Sequence, residues 1–117
     1  MEERRKFVRL DTRLEISYAA LPADKMQGGA TKDISGSGIC LFTKEVLTVG
    51  TQLQVTMKLP SQAQPVHFTS EVVWSEAYEM IGKTEHRRSA ETGVRFVEVS
   101  PKDREAIMQY VILGLQH

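Results

Sequence analysis

The first residues that could do chemistry lie at the start of the chain. Residues 4–9 read Arg-Arg-Lys-Phe-Val-Arg, which places four cations in six positions. A guanidinium group is planar, always charged and forked, so it can bind a phosphate or a guanine edge through paired hydrogen bonds. A solvated basic tail is the alternative interpretation, because charge runs at chain ends are usually only soluble. The arm indicates an anion site only if a second group of residues meets it.

A second group of small and polar residues occupies positions 33–38, which read Asp-Ile-Ser-Gly-Ser-Gly. Two glycines and two serines in six residues leave little side-chain bulk, as a tight turn or the close approach of a ligand requires. The structural interpretation is a turn in which Asp33 and Ser35 bond to their own backbone. The stretch therefore predicts a turn by itself, and a binding site only in combination with the arm.

Composition bounds the class of protein. The chain has 117 residues, of which 41% are hydrophobic, and this is enough for one domain with a single core. Fifteen basic and fifteen acidic side chains cancel, so there is no overall field to hold DNA or a membrane, and an anion site must be local. Because no apolar run has the length of a signal peptide or a spanning helix, a cytoplasmic location is the default expectation.

Alternation of apolar and polar residues predicts that most of the chain is antiparallel β-strand. The period of two is seen in residues 10–18, 53–59, 66–74 and 93–97, and an apolar run occupies residues 39–42. Within residues 66–74, Trp74 falls on the same parity as Val66, Phe68 and Val72. Residues 19–30 are rich in turn formers and are predicted to be a loop or a wide hairpin connection. Residues 76–89 are predicted to be a charged insertion such as a long hairpin loop.

The end of the chain changes to a helical period. Ser100 is a capping residue, Pro101 suits the first helical position and Asp103 suits the first turn. Apolar residues then recur every three or four positions. We therefore expect an all-β fold, a small antiparallel barrel of six or seven strands whose open end is covered by one C-terminal helix. The chain is predicted to be a single domain, with a flexible basic arm at 1–10, the barrel at 11–98 and the helix at 100–115.

Residues that could support catalysis are not arranged for it. Cys40 lies between two aliphatic residues and is predicted to be a buried small hydrophobe rather than a nucleophile. His67, His86 and His117 show no spacing typical of metal ligands. We therefore expect a protein that is not an enzyme and has no metal or cofactor.

Two short motifs carry a resemblance to a known family. Arg5 and Arg9 form an R-x-x-x-R element, and Asp33, Ser35 and Gly38 form a D-x-S-x-x-G element. In this order and spacing, the pair resembles the signature of PilZ domains, and residues 72–74 and 93–96 resemble strands of that family. The resemblance implies a barrel that binds the bacterial second messenger cyclic di-GMP and relays its presence to a protein partner.

The ligand implied by the resemblance suits the chemistry of these residues. Cyclic di-GMP carries two phosphates and two guanines, and an arginine fits either a phosphate or the O6 and N7 acceptors of guanine. Asp33 would accept hydrogen bonds from guanine N1 and N2, because an acid beside phosphates would repel them. Trp74 would stack on a guanine or arginine plane, although a half-buried barrel tryptophan is an equal interpretation. The expected ligand-binding residues are Arg4, Arg5, Arg9, Asp33, Ser35, Gly38 and Trp74.

Two further functions and the ligand stoichiometry stay open at this stage. In the family, an arginine at the position of Arg4 is associated with two stacked copies of the ligand, so two copies per chain are the hypothesis. A pure protein-binding adaptor with the same fold is one alternative function. A small-barrel nucleic-acid binder is the other, but the chain lacks an aromatic-rich basic face. Partners other than the dinucleotide and an unidentified protein, such as nucleic acid or a membrane, are not expected.

Overall fold

The computed structural model describes residues 9–22, 25–81 and 86–115. Within these ranges, seven strands are followed by one helix. The elements are β1 Leu10–Asp11, β2 Glu15–Ala20, β3 Gln27–Ile34, β4 Gly38–Thr43, β5 Gln52–Met57, β6 Val66–Ile81, β7 His86–Val99 and α1 Pro101–Leu115. The predicted fold class is therefore confirmed.

The sheet closes on itself. Its strand order is β1-β3-β2-β5-β6-β7-β4, and β3 also pairs with β4, so six strands form a closed antiparallel barrel. The short strand β1 pairs with β3 outside this ring, Leu10 opposite Ile34 and Asp11 opposite Asp33. Because closure joins β3, β4, β7 and β6 side by side, residues that are far apart in sequence face outward from one continuous surface.

Apolar side chains of alternate residues fill the barrel. The predicted inward positions 14, 16 and 18, in and beside β2, and those of residues 53–59 are all buried. Burying a side chain of this kind stabilises the fold by about 1.5–3 kcal/mol. These residues are Leu14, Ile16, Tyr18, Leu53, Val55, Met57 and Leu59. The Tyr18 hydroxyl accepts a hydrogen bond from the Lys44 amide at 3.1 Å, so its polar end is satisfied.

The C-terminal helix begins where the sequence predicts. The Ser100 hydroxyl accepts a hydrogen bond from the Asp103 amide at 3.1 Å, which caps the first turn. Ile107 and Val111 pack into the core cluster. The side chain of Leu10 packs over Gly114, where a Cβ would lie 2.5 Å from a Leu10 methyl carbon. The end of α1 therefore fixes the chain one residue after Arg9. No helix within the described residues combines the length and the apolar character needed to cross a membrane.

The loop predicted at residues 76–89 is wrong, and the hairpin connection predicted at residues 19–30 is confirmed but shorter than expected, because it joins the antiparallel strands β2 and β3. Residues 76–81 continue β6 and pair with residues 86–91 of β7, from Glu76 opposite Glu91 to Ile81 opposite His86. In this ribbon Glu76, Ala77 and Glu79 are exposed, so these positions show no alternation of buried and exposed residues. Within residues 19–30, β2 continues to Ala20 and β3 begins at Gln27. Gly29 lies within β3 and not in a turn. Its lack of a side chain is explained by the neighbouring strand, because a Cβ there would lie 2.7 Å from the Phe42 carbonyl oxygen.

Candidate functional site

A bulge in β3 turns Asp33 away from the barrel core. Thr31 pairs with Leu41 and Asp33 pairs with Cys40, so Lys32 is an extra residue in β3. Thr31 is fully buried on the core side and Ile34 is buried in the core cluster. Asp33 consequently lies on the outer face of the sheet, as bulges commonly re-aim a side chain beside a functional site.

A second bulge does the same for Trp74. Val72 pairs with Val94 and Trp74 pairs with Gly93, so Val73 is the extra residue in β6. Val72 is fully buried, whereas Trp74 is 40% exposed. The sequence-based parity, which placed Trp74 with Val72, is therefore wrong, because a period of two cannot reveal an inserted residue. The outward position is the one that a ligand-stacking role requires.

The two bulges bring both side chains to one row across the sheet. Asp33 pairs with Cys40, Cys40 with Gly93 and Gly93 with Trp74, on the adjacent strands β3, β4, β7 and β6. Since neighbouring strands lie about 4.8 Å apart, the backbones of Asp33 and Trp74 are roughly 14 Å apart. The small residues Cys40 and Gly93 form a floor between them.

The floor is open because Gly93 has no side chain. A Cβ on Gly93 would lie 2.1 Å from Nε1 of the Trp74 indole, so the indole ring lies directly over this glycine. A cavity of about 200 Å³ occupies the face above the row and opens to solvent. Its lining residues are Arg9, Asp33, Ser35, Ser37, Gly38, Ile39, Cys40, Val73, Trp74, Gly93, Val94 and Arg95.

The turn between β3 and β4 forms one wall of the cavity. The Ser35 hydroxyl accepts hydrogen bonds from the amides of Ser37 and Gly38, both at 3.3 Å. The Ser35 amide donates to the Gly38 carbonyl at 2.9 Å. The structural interpretation of Ser35 is thus correct, since its hydroxyl bonds to the turn backbone while the residue also lines the cavity.

Gly38 is required by the neighbouring strand. A Cβ on Gly38 would lie 2.1 Å from the Val94 carbonyl oxygen and 3.1 Å from the Arg95 Cα, both in the backbone of β7. Residues 38 and 95 are direct partners in the sheet. The close approach of β7 is therefore a structural reason for a glycine at position 38, and the sequence could not reveal it. The sequence alone suggested a different reason, a flat surface on which a ligand can lie.

The Asp33 carboxylate is an acidic group that is largely buried at the cavity. Its side chain is only 11% exposed, and its ionic partner within the described chain is Arg9, with Nη1 at 3.8 Å from Oδ2. Burial raises the pKa of Asp33 above the usual range despite the opposing charge of Arg9, and the carboxylates of Asp11 and Glu91 act in the same direction as burial. Among the described residues, no donor forms a hydrogen bond with this carboxylate, and Arg9 is its ion-pair partner.

Cys40 is a buried thiol, as predicted, but it lies in the cavity floor rather than in the barrel core. Burial, reinforced by the charge of Asp33, raises the pKa of Cys40 to about 11. A thiol with this pKa stays protonated near neutral pH, and a protonated thiol is a poor nucleophile. Among the described residues, no three His, Cys, Asp or Glu side chains are grouped to hold a metal ion.

Sequence reasoning missed Arg95, which also lines the cavity. Its neighbours Val94 and Phe96 pack inward, so the period of two that identified β7 already placed Arg95 on the outer face. Its position beside Gly38 depends on the pairing of β4 with β7, which the sequence does not reveal.

The structure brings five of the seven expected ligand-binding residues to one cavity. Arg9, Asp33, Ser35, Gly38 and Trp74 all line it. Arg4 and Arg5 lie outside the described residues. The structure is thus a small six-stranded barrel with a partly cationic cavity on its outer face, at the turn between β3 and β4.

The chain belongs to the PilZ domain family, whose model matches residues 3–113. Among solved structures, the PilZ domain with c-di-GMP of YcgR from Escherichia coli superposes with a TM-score of 0.75 at 17% identity, covering 97% of this chain and 93% of that one. The inhibitor of motility MotI/DgrA from Bacillus subtilis gives a TM-score of 0.72 at 19% identity, covering 98% of this chain and 52% of that one.

A third similar structure is the MrkH–c-di-GMP complex from K. pneumonia, with a TM-score of 0.73 at 18% identity, covering 99% of this chain and 53% of that one. The chain therefore spans about half the length of MotI and MrkH. At these identities the likeness establishes the fold. No curated protein matches the chain.

Proposed function

We propose that this domain is a receptor for cyclic di-GMP. The observation that carries the proposal is the meeting of Arg9, Asp33 and Trp74 at one outer cavity, with both motifs of the family contributing to its lining. The fold is similar to that of structures described as the PilZ domain with c-di-GMP of YcgR and as the MrkH–c-di-GMP complex. The ligand is carried over from these relatives to this chain as part of the proposal.

Each group at the cavity has a partner in the ligand. Asp33, largely buried and without a hydrogen-bond donor among the described residues, accepts hydrogen bonds from N1 and N2 of one guanine. The exposed Trp74 indole offers a face for stacking, which contributes roughly 1–3 kcal/mol per base. Arg9 and Arg5 bind phosphate or the O6 and N7 edge. Ser35 keeps the turn in place beside them.

The output of binding is proposed to be a changed surface at the arm that a protein partner recognises. Structures with the same fold are described as an inhibitor of motility and as a c-di-GMP-dependent transcription regulatory factor, and in both the matching region is about half of the chain. In both of those proteins the matched region is therefore accompanied by a further part of the same chain. The partner of this chain is proposed only as a protein.

The proposal is tested by calorimetric titration of the chain with cyclic di-GMP, with GTP and cyclic di-AMP as controls. We expect saturable binding of cyclic di-GMP at two copies per chain, because Arg4 supplies a further cation, and weak or no binding of the controls. Adenine lacks the N1 and N2 donors that Asp33 would accept. If cyclic di-GMP does not bind, the receptor function is wrong and the protein-binding adaptor replaces it. Binding of an oligonucleotide that weakens steeply with salt would instead favour the nucleic-acid binder.

The basic arm is proposed to close over the cavity when the ligand binds. Arg9→Ala should weaken binding about tenfold to a hundredfold, because a charge-assisted contact contributes about 1.5–3 kcal/mol. Hydrogen exchange of residues 1–12 should slow on addition of ligand in the wild type and less so in the variant. Lys58→Ala is the matched control, since it removes one cation that does not line the cavity. If Arg9→Ala binds cyclic di-GMP with the affinity of the wild type, and its exchange slows on binding as much as that of the wild type, the arm is only a tail.

A further inference from the structure

Arg95 places a second guanidinium at the cavity, outside both motifs of the family. Its side chain is 57% exposed, and its Nη2 forms an ion pair with Oε1 of Glu71. The two residues are direct partners between β6 and β7, and Arg95 is also the partner of Gly38 on β4. The pair therefore lies in the next outward-facing row of the sheet after the one that holds Asp33 and Trp74.

The charges of the described lining do not favour a dianionic ligand without Arg95. Arg9 and Asp33 are the other charged residues of that lining, and they cancel. Arg9 also lies within 3.8 Å of the Asp33 carboxylate, so part of its field is spent on that neighbour. Both arginines have a carboxylate partner, but Glu71, the partner of Arg95, does not line the cavity, so Arg95 gives the described lining its net positive charge. A ligand with two phosphates gains from a cation on the side of the cavity away from the arm.

Stability alone is a weak reason for the Glu71–Arg95 pair. Exposed ion pairs contribute roughly 0–1 kcal/mol, because solvent screens them and both side chains lose freedom. A guanidinium has five N–H donors, and the contact with Glu71 through Nη2 leaves others for a ligand. Glu71 is the less exposed partner and belongs to the barrel strand β6, so it can hold the longer arginine in one place.

We propose that Arg95 binds a phosphate of the dinucleotide and that Glu71 is the positioning residue that holds Arg95 at the cavity. This inference rests on the proposed receptor function. Holding the guanidinium before the ligand arrives lowers the entropy lost on binding, which is the general advantage of a preorganised site. Glu71 therefore acts on affinity only through Arg95.

The test is a double-mutant cycle measured by titration with cyclic di-GMP. Arg95→Ala should weaken binding about tenfold to a hundredfold, the loss expected of one charge-assisted contact. Glu71→Gln should weaken binding about threefold to tenfold in the wild-type background and should have no effect in the Arg95→Ala background. Lys58→Ala, which removes a cation from an ion pair away from the cavity, should bind like the wild type.

The outcomes separate this inference from the proposed function. If the wild type does not bind cyclic di-GMP, the receptor function itself fails. If the wild type binds and Arg95→Ala binds equally well, the receptor function stands and the role of Arg95 is wrong. If Glu71→Gln weakens binding to the same degree in both backgrounds, Glu71 does not act through Arg95. Thermal denaturation of each variant identifies unfolding, and Arg95→Gln, which retains much of the side-chain bulk, should repeat the loss of affinity without a loss of stability.

Discussion

Asp33→Asn is expected to reduce the affinity for cyclic di-GMP on the order of a hundredfold while making the ligand-free protein more stable at neutral pH. The amide of asparagine keeps the size of the carboxylate but has one acceptor oxygen in place of two and carries no charge. Each hydrogen bond from guanine to a charged acceptor contributes about 1.5–3 kcal/mol. Losing the charged acceptor therefore reduces the binding free energy, while the packing is little changed. The opposite signs of the two effects distinguish a functional carboxylate from a structural one.

The gain in stability follows from the direction of the Asp33 pKa. Burial raises this pKa in the folded state above its ordinary value of 3.8, so folding favours the protonated carboxyl. The stabilising contribution of the protonated form is complete below the ordinary pKa and is lost as the pH rises through the raised pKa. At neutral pH the wild type therefore holds a buried charge at a cost, and asparagine removes that cost. The difference in melting temperature between variant and wild type should shrink as the pH falls towards about 4.

Asp11→Asn is the matched control for this prediction. Asp11 is paired with Asp33 across β1 and β3 but is exposed and does not line the cavity. We expect its affinity to stay within about threefold of the wild type, since exposed charges are screened. The measurements are calorimetric titration and thermal denaturation at several pH values. A destabilised Asp33→Asn variant at neutral pH would contradict the account, because Asp33 would then be holding the fold together.

The same residue illustrates what the sequence could predict. The spacing of Asp33, Ser35 and Gly38 is visible in the chain because a turn is local, and the inward residues of the barrel strands are visible because a period of two is local. The outward position of Trp74 is not, since one inserted residue in β6 reverses the parity and only the pairing with β7 reveals it. Arg95 carries no local signal beyond its outward parity, and its role depends on three strands meeting.

The ribbon of β6 and β7 is the largest error for a related physical reason. Period-based prediction depends on one face being buried, and the part of the ribbon beyond the barrel has Glu76 and Ala77 exposed on successive positions. Backbone pairing with β7 continues β6 through these positions although they show no alternation of burial. The glycines of β3 caused the opposite error, since their residue type indicates a turn although they lie in a strand. Gly29 is required by the close approach of Phe42 and not by a turn.

Gly38→Ala is expected to destabilise the fold on the order of 3 kcal/mol, which lowers the melting temperature by about 10 °C or more. The single added carbon would lie 2.1 Å from the Val94 carbonyl oxygen, and this atom belongs to the backbone of β7 rather than to a flexible side chain. Relief requires β4 and β7 to separate. Separation weakens the pairing at Arg95 and the hydrogen bond from the Phe96 amide to the Ser37 carbonyl, now 3.2 Å.

Gly28→Ala is the control for this substitution, since nothing lies within 4 Å of its added Cβ and β3 should keep its stability to within about 0.5 kcal/mol. Thermal and denaturant unfolding of both variants, followed by titration with cyclic di-GMP, separates two reasons for Gly38. A variant that melts early because β7 cannot approach supports the structural reason. A Gly38→Ala variant that melts like the wild type but no longer binds would show instead that the glycine keeps the cavity wall flat for the ligand. It would also show that β4 and β7 can separate enough to accept the added carbon.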